Sequence, residues 1–443
     1  MAGSRVRRLL PFLQWQRPTA ATLRKDAWAG LSVALVLIPQ SLAYATLAGM
    51  PPETGLYAAM LPSVVGILWG SSSLLAVGPV ALTSLLTSAI LLPLAAPGGS
   101  QWVALAIWLA VYSGLIQFAL GVLRLGRIAY VVSDSVVTGF INAAAMIIIL
   151  SQVPPLLGLP PMAFDARWPF EALAALRESP LPVALTSAFG LGALCLLTLQ
   201  RRWAPRLPGV LLVCVGGIVA SSLGHLAEYG MGIVGEIPQG GPDLQVPSGI
   251  DASQHLALLS GALIIALISF TEAMSSCRIL SKKFNMQWNE NQELIGQGLA
   301  KIVSGFSGAF PVSGSFSRSA LNAYVGATSG WSALFASVCV FACLLWATDY
   351  LFHLPRAVLA AIIIAPVMGL IDLRAIWRSV RETPAEGIVM LTTFVATLAS
   401  TPALHWGVMA GLAASFCSRL HRRWSAKAGQ DAAKDRLTGE RDD

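Results

Sequence analysis

Charge is what this sequence has least of: charged residues make up 12% of its 443 positions against 55% hydrophobic, and the mean hydropathy is +0.68. A soluble globular chain carries roughly a quarter charged residues, so that class is excluded. Period-two alternation is missing as well. The apolar runs are continuous over about 20 residues, the length of a membrane-crossing helix, which excludes a β-barrel and leaves an all-α polytopic membrane protein. There is no GxxxxGK[ST] loop to cradle a nucleotide phosphate, which argues against ATP as energy source. No CxxC pair occurs, and Cys195, Cys214, Cys277, Cys339, Cys343 and Cys417 lie in or beside apolar segments, as packing residues rather than a disulfide framework or metal set. The basic N-terminal arm lacks a small-residue cleavage site before a full-length span, so residues 26–48 read as an uncleaved first helix.

What charge there is falls in a pattern. The net charge is +7, and the basic residues gather in the N-terminal arm (Arg5, Arg7, Arg8, Arg17, Arg24, Lys25), in short turns (Arg124, Arg127; Arg201, Arg202, Arg206; Arg278, Lys282, Lys283; Arg374, Arg378, Arg381) and in the tail from Arg419. The long loop 225–254 has Glu228, Glu236, Asp243 and Asp251 and no Lys or Arg. Under the positive-inside rule both termini are cytoplasmic and the number of spans is even. A basic excess distributed in this way points to topology, not to nucleic acid.

Hydropathy places spans near 27–47, 55–69, 103–123, 132–150, 183–199, 210–226, 256–280, 293–306, 331–352, 357–371, 388–399 and 404–416. Two interrupted segments, 74–94 and 310–330, score poorly and bring the even count to 12 or 14. Span 1 contains Pro39-Gln40, read as a helix break with an amide beside it. Residues 124–130 read as an amphipathic connection, and the Pro-rich loop 154–182, with Trp168 and Phe170, as an outer loop holding an interfacial helix. The chain therefore divides into a cytoplasmic arm 1–25, a first half 26–226, an acidic outer loop 227–254, a second half 255–420 and a charged, disordered cytoplasmic tail 421–443.

The interrupted segments carry the chemistry. Residues 74–86, LLAVGPVALTSLL, begin extended, break at Gly78-Pro79 and restart as helix with Pro79 in the first turn. Residues 310–330, FPVSGSFSRSALNAYVGATSG, are too rich in Gly, Pro and Ser to be helical before Phe316, but 316–325 can be. Helices that start inside a membrane expose free N–H groups and a positive dipole end, which favour an anion. Paired interrupted segments in corresponding halves are the mark of a transporter site at mid-membrane. Two half-helix starts, near Val80 and Phe316, are thus expected to face each other around an anion.

Ionisable residues inside spans are functional candidates by default. Glu272, in LALLSGALIIALISFTEAMSS, is the carboxylate set most deeply in an apolar run, and can exchange a proton or bind Na+ in step with the anion. Its bland alternative is a structural carboxylate bonded between helices. Arg318 either attracts the anion or partners a helix end or Glu272. Lys301 is the remaining charge in or at the edge of a span. Gln40 is either an anion contact or a bonded amide, and Ser317 is the serine of its segment best placed to donate to an anion.

These residues carry a resemblance. Pro39-Gln40-Ser41-Leu42-Ala43-Tyr44-Ala45, Leu47-Ala48-Gly49 through Pro52, Gly55-Leu56-Tyr57-Ala58-Ala59, Val77-Gly78-Pro79-Val80-Ala81, Asn291-Gln292-Glu293-Leu294 and the run 310–322 resemble the membrane domain of the sulfate permease (SulP) family of anion transporters. Gly139-Phe140, Gln152 and Leu156-Leu157-Gly158 fit as well. The resemblance implies 14 transmembrane segments as 7+7 inverted repeats, as in uracil permeases, with spans 1–4 and 8–11 a core that moves, elevator-like, against a gate of spans 5–7 and 12–14. It implies Gln40, Tyr44, Val80, Ala81, Phe316, Ser317 and Arg318 as substrate-binding residues, and Glu272 and Ser276 as ion-coupling residues, Ser276 matching a position that helps hold sodium in a bicarbonate-transporting member. No cofactor is implied beyond Na+ or H+ as coupling ion. The implied protein is a secondary active transporter of sulfate, bicarbonate or a dicarboxylate, in a bacterial inner membrane among lipid, as a monomer or homodimer. The sequence stops soon after its last span, where most members continue into a STAS domain.

Two other readings compete. A passive anion channel or an exchanger fits the same scaffold. An intramembrane serine hydrolase built on Ser317 or Ser84 needs a base at the same depth, and His353 and His405 fall near outer span ends, which argues against it.

Overall fold

Thr19 starts the first membrane helix: its hydroxyl accepts from Thr22 N at 3.2 Å while Thr22 Oγ1 accepts from Thr19 N at 2.9 Å, a reciprocal cap that satisfies two otherwise orphaned donors. The computed structural model describes residues 10–418 except 16, 127–132, 160–173, 175, 205–206, 245–246, 248, 285, 287, 402–403 and 405. Most of the 124–130 connection, most of the interfacial segment with Trp168 and Phe170, His405 and the charged tail lie outside the described residues.

Beside the short helix Thr348–Leu351 and the amphipathic Leu373–Glu382, the described residues form fourteen α-helices: α1 (Ala20–Leu47), α2 (Pro52–Trp69), α3 (Ala81–Leu91), α4 (Ser100–Val122), α5 (Asp134–Leu157), α6 (Pro180–Trp203), α7 (Gly209–Leu223), α8 (Ala252–Phe284), α9 (Glu290–Phe306), α10 (Phe316–Val325), α11 (Trp331–Trp346), α12 (Arg356–Met368), α13 (Pro384–Ala399) and α14 (Trp406–Ser418). Six helical stretches are long and apolar enough to cross a membrane by themselves. The third helix of each set of seven is short and is preceded by a strand, β1 (Ala76–Gly78) before α3 and β2 (Ser313–Ser315) before α10. The strands pair antiparallel, Ala76 with Ser315, Val77 with Gly314 and Gly78 with Ser313. Backbone that leaves the helix inside a membrane protein must find partners within the protein, and each strand supplies them to the other.

Contacts divide the chain into two compact units, Met1–Ala129 with Ala145–Gly369 and Tyr130–Ala144 with Leu370–Asp443. In the first, α4 and α9 approach through glycine: a Cβ on Gly298 would come within 2.5 Å of Phe118 N, so only a bare Cα lets the backbones meet. Asp26 is enclosed and accepts from Thr328 N at 2.6 Å and Ser329 Oγ at 2.6 Å, tying α1 to the start of α11. The loop after α7 is laid against the α11–α12 connection by Val234 N to Leu354 O and Gly235 N to Phe352 O. In the second unit the start of α5 packs on α13, and Asn142 Oδ1 accepts from Asp372 N at 2.6 Å.

Four sequence expectations change. Pro39 does not break the first span: α1 is continuous, because losing one amide donor at Pro39 leaves the neighbouring turns bonded. Pro79 is not in the first turn of α3; Val80 is the cap, extended at φ −138° and ψ 152°, and Pro79 stands outside the helix. Pro154 and Pro155 do not begin a loop but sit inside the last turns of α5. Residues 373–382 form an amphipathic helix, Leu373–Glu382, capped by Asp372, where only a basic turn is expected.

Candidate functional site

The strand pair sets the geometry of everything around it. Gly78 and Ser315, the last strand residues before α3 and α10, sit at opposite ends of a three-residue ladder, about 7 Å apart along the strands and about 5 Å across. Both helix starts are therefore held at one place, and both are buried in the protein at their caps: Val80 is 4% exposed and Ser315 5%. The α10 start is partly capped from within, Ser315 Oγ accepting from Arg318 N at 3.4 Å. The α3 start has no side-chain cap.

Arg318 binds the two halves together. Its side chain is enclosed, 1% exposed, and Nη1 donates to Pro79 O at 2.8 Å, across 239 positions of sequence. Nε and Nη2 have no hydrogen-bond partner. Ser319, one residue on, accepts from Ala76 N at 2.8 Å and donates to Ser315 O at 2.6 Å, a second tie between the halves. Phe316 and Ser317, on the same first turn, are exposed, so the turn presents two side chains outward and sends the charged one inward to the Pro79 carbonyl. Ser317 Oγ lies 3.4 Å from Ser315 Oγ, its hydrogen-bond contact among the described residues.

Glu272 on α8 lies within electrostatic reach of Arg318 and Lys301, and its Oε2 has no hydrogen-bond partner. The Ser313 hydroxyl of β2 lies against this carboxylate and donates to Ser269 O at 3.1 Å. Tyr44 on α1 is enclosed and within electrostatic reach of both Arg318 and Glu272. Gln40 stands one turn before Tyr44, 5% exposed, with its Oε1 unpartnered. Ser276 is buried one turn after Glu272, and its hydroxyl donates back to Glu272 O at 3.0 Å. Val80 and Ala81 occupy the cap and first position of α3.

Of the residues singled out from sequence, Arg318, Glu272 and Tyr44 are thus brought together, with Val80, Ala81, Phe316 and Ser317 at the two helix starts beside them. Gln40 shares a helix face with Tyr44, while Ser276 is bonded within its own helix. Lys301 is the member that sequence reasoning left out of the site. It is fully enclosed on α9 and donates to Gln117 Oε1 of α4 at 2.9 Å, while Gln117 Nε2 donates to Ala266 O at 2.6 Å and Ser269 Oγ at 3.1 Å on α8. The signal for both was a lone polar side chain in an otherwise apolar run. Glu293 is as buried as Asp26, but its role is clear from its donors: Ser71 N at 2.9 Å and Ser72 N at 3.0 Å fasten the end of α2 to the start of α9, and Gln297 Nε2, one turn on in α9, donates at 3.2 Å. The six cysteines are free, and no cluster of three or more His, Cys, Asp or Glu that could hold a metal occurs among the described residues.

Comparison with known proteins adds the lineage. The model of the sulfate permease family matches residues 23–393. A probable sulfate transporter of Mycobacterium tuberculosis (strain CDC 1551 / Oshkosh) is 34% identical over 374 residues, covering 84% of this chain and 66% of that protein. The chain thus spans somewhat less than two-thirds of the length of that curated relative. Among solved structures, SLC26A9 superposes with a TM-score of 0.87 at 24% identity, covering 95% of this chain and 69% of that one. The transmembrane domain of BicA, a cyanobacterium bicarbonate transporter, superposes with a TM-score of 0.75 at 22% identity, covering 89% of this chain and 99% of that one. The fold shared with SLC26A9 is the 14-segment, 7+7 inverted-repeat membrane fold, and in this chain the third segment of each repeat is a strand followed by a half-helix.

Proposed function

The chain belongs to the sulfate permease family, and on that premise we propose that it is a secondary active transporter, not an enzyme, that carries a small anion of the sulfate, bicarbonate or dicarboxylate class through the membrane. The observation that carries this reading is the β1–β2 ladder, which holds two interrupted helices start to start. The free N–H groups of Ala81 and its successors on α3, and those of Phe316 and Ser317 on α10, donate to the anion, and both helix dipoles favour its charge. The Ser317 hydroxyl adds a donor from the exposed side of the turn. Arg318 acts from behind, through its field and by fixing the Pro79 carbonyl, and Gln40 and Tyr44 line the wall on α1. Glu272 exchanges the coupling ion. Sulfate is the first substrate to try, given the Mycobacterium relative.

Access alternates by an elevator-like displacement of α1–α4 and α8–α11, which carry both half-helices. Both termini face the cytoplasm, a placement supported by the Lys and Arg distribution, and a bacterial inner membrane is the setting. Uptake of labelled sulfate, bicarbonate, chloride and succinate into proteoliposomes, under imposed proton or sodium gradients, tests the proposal. Saturable uptake that accumulates one anion against its gradient is expected. Conduction without accumulation would make the protein a channel, and failure of every anion to enter would end the transport reading.

A further inference from the structure

Glu272 is faced by two cations, not one. From α10 comes Arg318, with Nε and Nη2 unpartnered. From α9 comes Lys301, whose ammonium has three donors and makes one hydrogen bond, to Gln117 Oε1. Ser313 of β2, against this carboxylate, and Tyr44 of α1, within its electrostatic reach, are neutral hydroxyl bearers. Fully ionised, the enclosed set of Glu272, Lys301 and Arg318 therefore already holds one excess positive charge before the two helix starts add theirs.

The position of Lys301 is built rather than incidental. Gln117 presents its carbonyl to the ammonium and its amide donors to Ala266 O and Ser269 Oγ, and Ser269 lies one turn before Glu272 on α8. Ser313, against Glu272, donates to Ser269 O. Lys301 is thus braced, through Gln117, to the turn of α8 just before the carboxylate. A buried ammonium persists only where a counter-charge and hydrogen bonds offset its desolvation, and Glu272 is the carboxylate within electrostatic reach of it.

A sodium ion coordinated by Glu272 and Ser276 does not fit this set. It would add a second excess positive charge in a low-dielectric surround, within electrostatic reach of the Lys301 ammonium and the Arg318 guanidinium that already act on the same carboxylate. We propose that Lys301 is the resident counter-cation of Glu272, a positioning residue that takes the electrostatic place of a coupling sodium, so that the protein handles its anion without binding Na+. This rests on the transporter reading only in calling Glu272 the coupling group.

The test needs no transport. Melting of the purified full chain in detergent is followed as choline is replaced by sodium at matched ionic strength, since a ligand that binds the native state raises the melting temperature. Wild type is expected to melt at the same temperature in both. Lys301→Met and Lys301→Gln, which leave Glu272 without this cation, are expected to gain a saturable sodium-dependent rise of at least about 2 °C, removed again by adding Glu272→Gln. Lys301→Arg keeps the insensitivity. A lysine that only packs would change the melting temperature equally in both salts. A saturable sodium rise in wild type that Glu272→Gln abolishes overturns the inference, as do folded Lys301→Met and Lys301→Gln that ignore sodium. Should both variants fail to fold, the wild-type comparison with Glu272→Gln decides alone. An absence of anion uptake in proteoliposomes would count against the transport reading and leave this result standing.

Discussion

Arg318 Nη1 donates to Pro79 O at 2.8 Å, so the charged residue of one half-helix holds the carbonyl just before the other. The bond has a direct consequence for function. It fixes where α3 begins relative to α10, and it keeps a guanidinium charge behind both helix starts with the side chain shut away from the surface.

Arg318→Ala removes the charge and leaves the buried Pro79 carbonyl without its donor. A charge-assisted hydrogen bond of this kind contributes about 1.5–3 kcal/mol, so the apparent anion affinity should fall roughly 10- to 100-fold. Arg318→Lys should recover only part of the loss, because an ammonium lacks the planar fork. Concentration-dependent uptake of the transported anion measures both. An unchanged KM in the two variants would reduce Arg318 to a packing role.

Gly78, the last residue of β1, holds a backbone conformation that favours glycine. Its φ is +153°, and a Cβ there would stand 3.3 Å from Arg318 Nη2. Gly78→Ala is expected to destabilise by about 1–2 kcal/mol through backbone strain and to lower the uptake rate by displacing the guanidinium. Gly192→Ala in α6, where a Cβ meets nothing within 4 Å, serves as the comparison and should be neutral or slightly stabilising. Melting temperature and initial uptake rate, taken together for the two variants, check this.

Much of this was legible in the sequence, and the reasons differ by element. The start of α10 at Phe316 follows from the Gly, Pro and Ser content before it, and the break at Gly78-Pro79 from the same chemistry. Pro39 and Pro154-Pro155 mislead, because proline inside a buried helix removes single bonds that the rest of the helix outlasts. The pairing of β1 with β2 could not be read, since strands of three residues from opposite halves have no local pattern to announce a partner. Arg318, Glu272 and Lys301 stand out as charges in apolar runs. Only the fold reveals that Gln117, on a different helix, holds Lys301 in place.

Glu293 separates structural from functional burial. Its Oε2 accepts from two backbone amides and from Ser71 Oγ, so Glu293→Ala strands buried donors at the α2–α9 junction. A cost of about 2–5 kcal/mol is expected, seen as a melting temperature lower by several degrees. In the folded fraction the KM for the anion should stay within about 2-fold of wild type, because no donor of Glu293 belongs to the helix starts. A large change in KM with unaltered melting would move Glu293 into the binding site.

Glu272 behaves in the opposite way. Its Oε2 has no hydrogen-bond donor, so an amide that keeps an oxygen toward Ser313 breaks no bond to Oε2 and removes the charge that acts on Arg318 and Lys301. Glu272→Gln should therefore fold and still bind the anion, more tightly where Arg318 and Lys301 lose their common counter-charge and turn to the substrate. What it should lose is the ability to convert an imposed ion gradient into accumulation: exchange of labelled anion across the vesicle continues, while net uptake against the anion gradient falls by about 10-fold or more. Exchange and gradient-driven uptake measured in one vesicle preparation separate the two. If Glu272→Gln accumulates the anion as wild type does, the coupling ion binds elsewhere and the carboxylate serves only to balance Arg318 and Lys301.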